Sequence, residues 1–487
     1  MKSKTKIVCT IGPASWDQEV MRQMIENGMS VARVNGAFAD THELDKVKEL
    51  VRNVSDEVSL MVDVKGPEVR MNKFPGPIAL KVGDTFVIGN TTQDAVYPAN
   101  YKDLYKFVKA GQKIVVGDGD VELIVEKVID DQMYCTVTYG EMIKPGKALN
   151  LPGCDYTTEI LTAKDRENLV HSLKTGWEFV SASFIQDGAS ARYIKDFIDQ
   201  EYKKLVASGE IAKVDIRPTA PMKIIAKIEN QDGVDNIDEI LDIVDGVMVA
   251  RGGLGVELGL EKVHAVQKLL IDKCNDLGKQ VITATQMLES MIMNPRPTRA
   301  EVNDVATAIY QGTDAIMLSA ESSAGKYPVG AIVMMQTIAK ETESNIDGDV
   351  NESIIPYAVT ADALTKAIAS VCNSHDEIKS VILVSKSGTT ARLLSRHRIK
   401  QDIFVFTSDE FYRNTLLMSK GITKALLFEG IERSSDNFSR DNAVDIIIEQ
   451  AKKAGIVEKG QKVLFVGKTP MKSEEYFPNI FEIIDIE

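Results

Sequence analysis

The chain runs to 487 residues, 44% of them hydrophobic and 26% charged, which is the composition of about three globular domains with ample core. A formal net charge of −14 argues against nucleic acid and against an anionic membrane surface as partners, so an anionic substrate must meet its own local cluster of Arg and Lys. Five cysteines (Cys9, Cys135, Cys154, Cys274, Cys372) show no C-x-x-C pairing, and no apolar run approaches the roughly eighteen residues of a membrane span; a soluble protein of the reducing cytoplasm is expected.

Short β-branched runs each lead into a helix-like stretch. KIVCTIG (Lys6–Gly12), SVARVN (Ser30–Asn35) and LMVDVKG (Leu60–Gly66) come first, and WDQEVMRQMIENGM, stopped by Gly28, shows the helical spacing between them. After a gap follow FVSASF (Phe179–Phe184), KIIAKIEN (Lys223–Asn230), GVMVARG (Gly246–Gly252), VITATQ (Val281–Gln286) and AIMLSAE (Ala315–Glu321). Near-continuous apolar strands read as parallel and buried on both faces. Eight of them alternating with helices predict an α/β fold, a (β/α)8 TIM barrel, over residues 1–70 and 158–346.

Residues 71–157 change character, with period-2 patterning and Gly, Asp-Gly and Pro turns. They predict an inserted small β-barrel domain, placed after the third strand and over the face where such barrels do chemistry. It would make a lid. Residues 347–487, beyond the ESNIDGDVNES linker, alternate ADALTKAIASVCNS with SVILVSKSG, DIFVFTS and KVLFVGKT and predict a C-terminal α/β domain. Within it VGKTP is no P-loop, because Lys462 stands where the first glycine belongs. SKSGTTA (Ser385–Ala391) puts three hydroxyls and a glycine between strand and helix, as suited to a phosphate as to an ordinary cap.

Polar residues gather at the C-terminal ends of the barrel strands: Arg33 and Asn35, then Asp63 to Arg70, Lys227 and Glu229, Arg251 with its glycines, Thr283 and Thr285. Lys227 and Glu229 are two apart and share one side of their strand. A lysine in so apolar a strand is costly unless paired, and alone it reads as a structural ion pair. A rim with Arg33, Arg70, Lys227, Arg251 and one carboxylate suits phosphate plus a divalent cation. VMVARGGLGVELGLEKV raises the question of what Gly252-Gly253-Leu254-Gly255 approaches. Read as a dinucleotide fingerprint from Gly253 it fails at Leu258, leaving a tight strand-to-helix turn or a cradle for an anion.

With TKIVCTIGPAS, VARVN, DVKGPEVR, LNLPG (149–153), IIAKIEN, VMVARGGLGVE and ATQMLESMIMNPRPTRAEVNDVA, the chain resembles the pyruvate kinase family over nearly its whole length. The resemblance implies phosphoryl transfer from phosphoenolpyruvate to ADP, giving pyruvate and ATP. Lys227, Arg33 and Thr285 would be the catalytic residues, with Lys227 neutralising charge on the transferring phosphoryl. The backbone of Gly252 and Gly253, with Thr285, would receive the substrate carboxylate. Arg70 and Lys147 would reach the nucleotide phosphates. Glu229 would bind Mg2+, and Asn35, Asp63 and the Val64 carbonyl a monovalent cation, K+. Ser385, Lys386, Ser387, Gly388 and Thr390 match an effector phosphate loop, and the family's usual assembly implies a homotetramer.

Four departures stand out. The family's N-F-S-H-G is here Asn35-Gly36-Ala37-Phe38-Ala39, Val64 replaces a threonine, and D-D-G becomes Gly117-Asp118-Gly119. In R-G-D-L-G the metal-binding aspartate has become Gly253. With one carboxylate gone, Mn2+ is expected to serve beside Mg2+. Three readings stay open: an active kinase, an impaired homologue that binds phosphoenolpyruvate or an effector, and another Mg-dependent enolate-forming lyase. Retention of Lys227, Glu229, Arg33, Arg70, Thr285 and Glu68 favours the first, and a lyase would need neither Lys147 nor a lid.

Overall fold

The protein is described from a computed structural model, which covers all residues except 1, 67, 91–95, 118, 155–158, 213–220, 347, 349, 356–357, 429–439 and 468–477, with backbone alone for 440–443. Asp118 and residues 468–470 of VGKTP thus lie outside the described residues. Eight parallel strands close a barrel: β1 (Lys6–Thr10), β2 (Met29–Asn35), β3 (Ser59–Val64), β4 (Phe179–Ala182), β5 (Lys223–Ile228), β6 (Gly246–Ala250), β7 (Gln280–Ala284) and β8 (Ala315–Leu318). Each pairs with its neighbour in chain order, and Lys6–Cys9 of β1 closes onto Ala315–Leu318 of β8. All but β2 stop two or three residues before the apolar runs do. The residues left over form the rim.

Alternation along the strands sorts the side chains. One set, including Ile7, Val62, Val180, Ala226, Val247 and Val281, packs outward against the helices. The other set fills the interior with Val8, Val31, Met61, Phe179, Ile225, Met248 and Ile282. Met418, from the C-terminal domain, is buried with that interior set, and Gln280 at the start of β7 donates to the Thr415 carbonyl at 3.0 Å, so this segment stoppers the barrel base. Two positions further along β1 to β5 the interior set turns polar: Thr10, Arg33, Asp63, Ser181 and Lys227. The floor is apolar and the mouth is charged.

The inserted segment builds a six-stranded sheet in the order 149–150, 113–116, 121–129, 132–139, 85–89, 96–98, with a separate pair from 78–79 and 142–143. Its pairing is antiparallel except between 85–89 and 96–98. Val69–Asn72 joins its two edges: the Met71 N–H donates to the Lys147 carbonyl and the Asn72 N–H to the Pro98 carbonyl, both at 2.8 Å. That closes a small barrel around Phe86, Ile88, Ile114, Leu123, Met133 and Val137. The C-terminal domain is a five-stranded sheet, parallel but for its last strand, Ile480–Asp485. No helix among the described residues is long and apolar enough to cross a membrane.

Candidate active site

Lys227 stands at the head of β5 with three acceptors around its ammonium: Ser183 Oγ at 2.6 Å, Glu229 Oε1 at 3.2 Å and Asp63 Oδ1 at 3.5 Å. Burial by itself pulls the lysine's pKa down, but Asp63 and Glu229 reverse that and hold it above the ordinary lysine value. The pairing favours its charged form. Asp63 is buried too, and burial alone raises its pKa; Arg33 and Lys227 outweigh that and keep it below the usual carboxylate range. Arg33 Nη2 lies 2.9 Å from Asp63 Oδ2, Arg33 Nη1 donates to Thr10 Oγ1 at 2.8 Å, and Ser181 Oγ donates to Asp63 Oδ2 at 2.7 Å. Each charge has a partner, which is the condition for keeping ions out of water.

The loop Gly252-Gly253-Leu254-Gly255 is the first turn of a helix, Arg251–Leu258, with no side-chain cap at its start. Its close neighbour is Glu229: a Cβ added at Gly253 would stand 3.0 Å from Glu229 Cβ and 3.2 Å from the Glu229 carbonyl oxygen. The Gly252 N–H donates to Thr285 Oγ1 at 2.9 Å, so both residues expected to hold a carboxylate are adjacent at the mouth. Thr285 and Gln286 have φ of 69° and 53°, an outlying backbone that turns the end of β7 across the barrel. Arg251 is spent on that turn. Its guanidinium donates to the Ala284 and Thr285 carbonyls and pairs with Asp304 at 2.7 Å, so it braces the rim and is not one of its open cations.

Arg70 and Lys147 meet at the edge of the inserted barrel, where Arg70 Nη1 donates to the Gly146 carbonyl at 2.9 Å. Arg70 also pairs with Glu68 at 2.7 Å, and Lys147 with Asp120 at 2.8 Å. Near the mouth Asn35 Oδ1 accepts from the Ala37 N–H at 3.1 Å and the Val64 carbonyl accepts from Ser183 Oγ at 2.7 Å. Far from these, Ser385 to Thr390 lead from strand Ile378–Val384 into helix Thr389–Ser395. Gly388 takes a φ of 73°, Ser385 Oγ accepts its N–H at 3.1 Å, and Ser385 and Thr390 are buried while Ser387 is exposed.

The pyruvate kinase barrel-domain model matches residues 2–332, and the pyruvate kinase alpha/beta-domain model matches residues 362–484. The chain belongs to the pyruvate kinase family. The pyruvate kinase of Clostridium perfringens is 37% identical to it, with 96% of each chain covered. That of Borreliella burgdorferi is 34% identical, covering 99% of this chain and 97% of the relative. A solved pyruvate kinase structure from Cryptosporidium parvum aligns with a TM-score of 0.88 at 33% identity, covering 100% of this chain and 96% of its own.

Among the described residues no three His, Cys, Asp or Glu side chains form a ready metal cage. A pyruvate kinase needs less than that, because Mg2+ is commonly held by one or two carboxylates plus substrate oxygens and water. Glu229 fits the first role: its Oε2 accepts the Phe184 N–H at 2.9 Å, which fixes the carboxylate at the mouth. Beside it stands Gly253, at the position where the resemblance implies a second carboxylate. For a monovalent cation the oxygens of Asn35, Asp63 and Val64 are present, though all are already engaged, Asp63 by Arg33, Ser181 and Lys227 together, and Ala37 and Val64 offer no hydroxyl.

Sequence reasoning did not select Ser181, Ser183, Thr10 or Phe184. The signal for the serines was present in FVSASF, where both share the alternating phase of the inward-facing Phe179. Nothing in sequence marked Phe184, whose φ of 56° is what a bulky residue ordinarily avoids.

Proposed function

We propose that this chain transfers the phosphoryl group of phosphoenolpyruvate to ADP, the reaction its membership of the pyruvate kinase family implies. The observation that carries the reading is Lys227, a buried amine held between Asp63, Glu229 and Ser183 at the mouth of the barrel, beside Arg33. Phosphoryl transfer is mostly positioning plus electrostatic stabilisation, and a fixed cation on the path of the phosphoryl group answers that need. Arg33 and Lys227 bind the phosphate, while the helix start at Gly252 and Gly253, with Thr285, binds the carboxylate. Arg70 and Lys147 bind the nucleotide phosphates. Mg2+ held by Glu229 supplies further positive charge when bound. Residues 71–157 act as lid over a barrel of residues 1–70 and 158–346. Residues 347–487 form the effector domain of a cytoplasmic homotetramer.

A coupled assay for pyruvate, run with and without ADP and with Mg2+ and Mn2+ in turn, tests this. Pyruvate formation without ADP would indicate a lyase. Binding of phosphoenolpyruvate without turnover would indicate an impaired homologue.

Two smaller results are expected. Glu68 is the residue of the family's potassium-dependent type, and here Arg70 and Lys65 hold its carboxylate at 2.7 and 3.8 Å. Activity therefore rises with K+, but half-saturation needs more K+ than in relatives that keep the serine at the position of Ala37. Full activity in a buffer free of sodium and potassium would contradict this.

The loop from Ser385 to Thr390 is proposed to take a phosphorylated metabolite. Titration calorimetry with a panel of such compounds should find one that binds, and Ser387→Glu should weaken it by about tenfold or more through like-charge repulsion. No binding, or equal binding by the variant, would leave the loop an ordinary helix start.

A further inference from the structure

We infer that Ser183 is a positioning residue for Lys227, a role that rests on the kinase reading of the same site. Ser183 is buried, and its oxygen does two things at once. Its O–H donates to the Val64 carbonyl at 2.7 Å, and the oxygen accepts from Lys227 Nζ at 2.6 Å. A hydroxyl has one proton, so the bond to Val64 fixes that proton and leaves the lone pairs aimed at the lysine. The serine is thereby an oriented acceptor.

The ammonium has three N–H groups and meets three acceptors, of which Asp63 and Glu229 are anions at 3.5 and 3.2 Å. Ser183 is the neutral one and the closest. It holds Nζ in place without cancelling the charge that the phosphoryl group must meet, as a third carboxylate would. Without it the ammonium loses its closest acceptor, one of the three that favour the charged form, and Nζ is no longer held on the line set by β5.

The next residue extends the same function. Phe184 takes the left-handed φ of 56°, and its N–H donates to Glu229 Oε2 at 2.9 Å. The tip of β4 thus orients both Lys227 and Glu229 from consecutive residues. Unfavourable backbone of this kind persists only where the surroundings over-determine it, and it concentrates at working sites.

The test compares Ser183→Ala with Ser183→Thr, which keeps the hydroxyl. Misplacement by about 1 Å is enough to lower a rate on the order of a hundredfold, so Ser183→Ala should lower kcat by at least about tenfold with KM for phosphoenolpyruvate within about threefold. Ser183→Thr should recover most of the loss. A readout independent of turnover is the rate at which an amine-selective reagent labels Lys227, followed by peptide mass spectrometry across pH. That rate should rise at least about threefold in Ser183→Ala and stay near the parent value in Ser183→Thr.

Wild-type kcat and labelling in a folded Ser183→Ala variant would overturn the role, as would a threonine variant no better than alanine. If the parent protein makes no pyruvate, the kinase reading fails by itself. The labelling comparison then decides alone, with equal rates against the inference and a faster alanine variant for it. If Ser183→Ala does not fold, Ser183→Cys, nearly isosteric and a weaker acceptor, takes its place in the same comparison.

Discussion

Lys227→Met is expected to lower kcat by about three orders of magnitude or more while the KM for phosphoenolpyruvate changes only a few-fold. A single neutral donor aimed at transition-state charge is worth roughly 10²–10³ in rate, and Lys227 is a buried full charge. Its interaction grows as charge shifts during transfer, so the loss falls mainly on kcat and only a few-fold on ground-state binding. Asp63 and Glu229 favour the charged form of the lysine against the pull of burial. The variant keeps its fold within limits set by the same network. Asp63 retains Arg33 and Ser181, and Glu229 retains the Phe184 N–H. Breaking a buried pair by removing one partner costs about 3–5 kcal/mol, which these remaining contacts should reduce. Thermal unfolding beside steady-state kinetics separates the two effects. Near-normal turnover in folded protein would remove Lys227 from the catalytic role.

The barrel was legible because its signal is repeated. Eight β-branched runs with helical spacing between them leave few other folds, and Lys227 with Glu229, two apart in KIIAKIEN, already implied one face. What sequence hid was set by three-dimensional closure. Val69–Asn72 completes the inserted barrel through bridges too short to leave any alternating pattern. Arg251 looked like a rim cation because its type and position fit. Only the bend at Thr285 and Gln286 brings the carbonyls that occupy it. Ser183 was hidden differently, since a serine in a strand is usually a small space-filler and its partners come from two other strands.

Gly253 carries the second large effect. If Glu229 holds Mg2+ as proposed, Gly253 leaves it one protein carboxylate in place of two, so the chain should need more Mg2+ than relatives with the acid and should respond comparatively well to Mn2+, which tolerates coordination that Mg2+, with its near-ideal octahedral demand, does not. Gly253→Asp should lower half-saturating Mg2+ by roughly tenfold, the scale of one added carboxylate ligand among several. The backbone permits the change: Gly253 lies in the first turn of helix Arg251–Leu258 and is not among the glycines of positive φ. The constraint is space, because the new Cβ would stand 3.0 Å from Glu229 Cβ and 3.2 Å from the Glu229 carbonyl oxygen, so helix and strand must part by a few tenths of an ångström. That crowding also sets two carboxylates side by side. Without metal the variant should melt below the parent, and with saturating Mg2+ the gap should close, because a cation that binds only the folded state stabilises it in proportion to its affinity. Melting in a chelator and in Mg2+, beside rate titrations against free Mg2+ for both proteins, reads each part. If the variant folds, turns over and keeps the parent's half-saturating Mg2+, the second carboxylate already comes from elsewhere in this chain. Glu257 would then be the residue to replace with glutamine, being one turn further along the same helix, with burial and nearby Asp232 raising its pKa to about 7. A carboxyl poised there gains most from a cation that keeps it ionised.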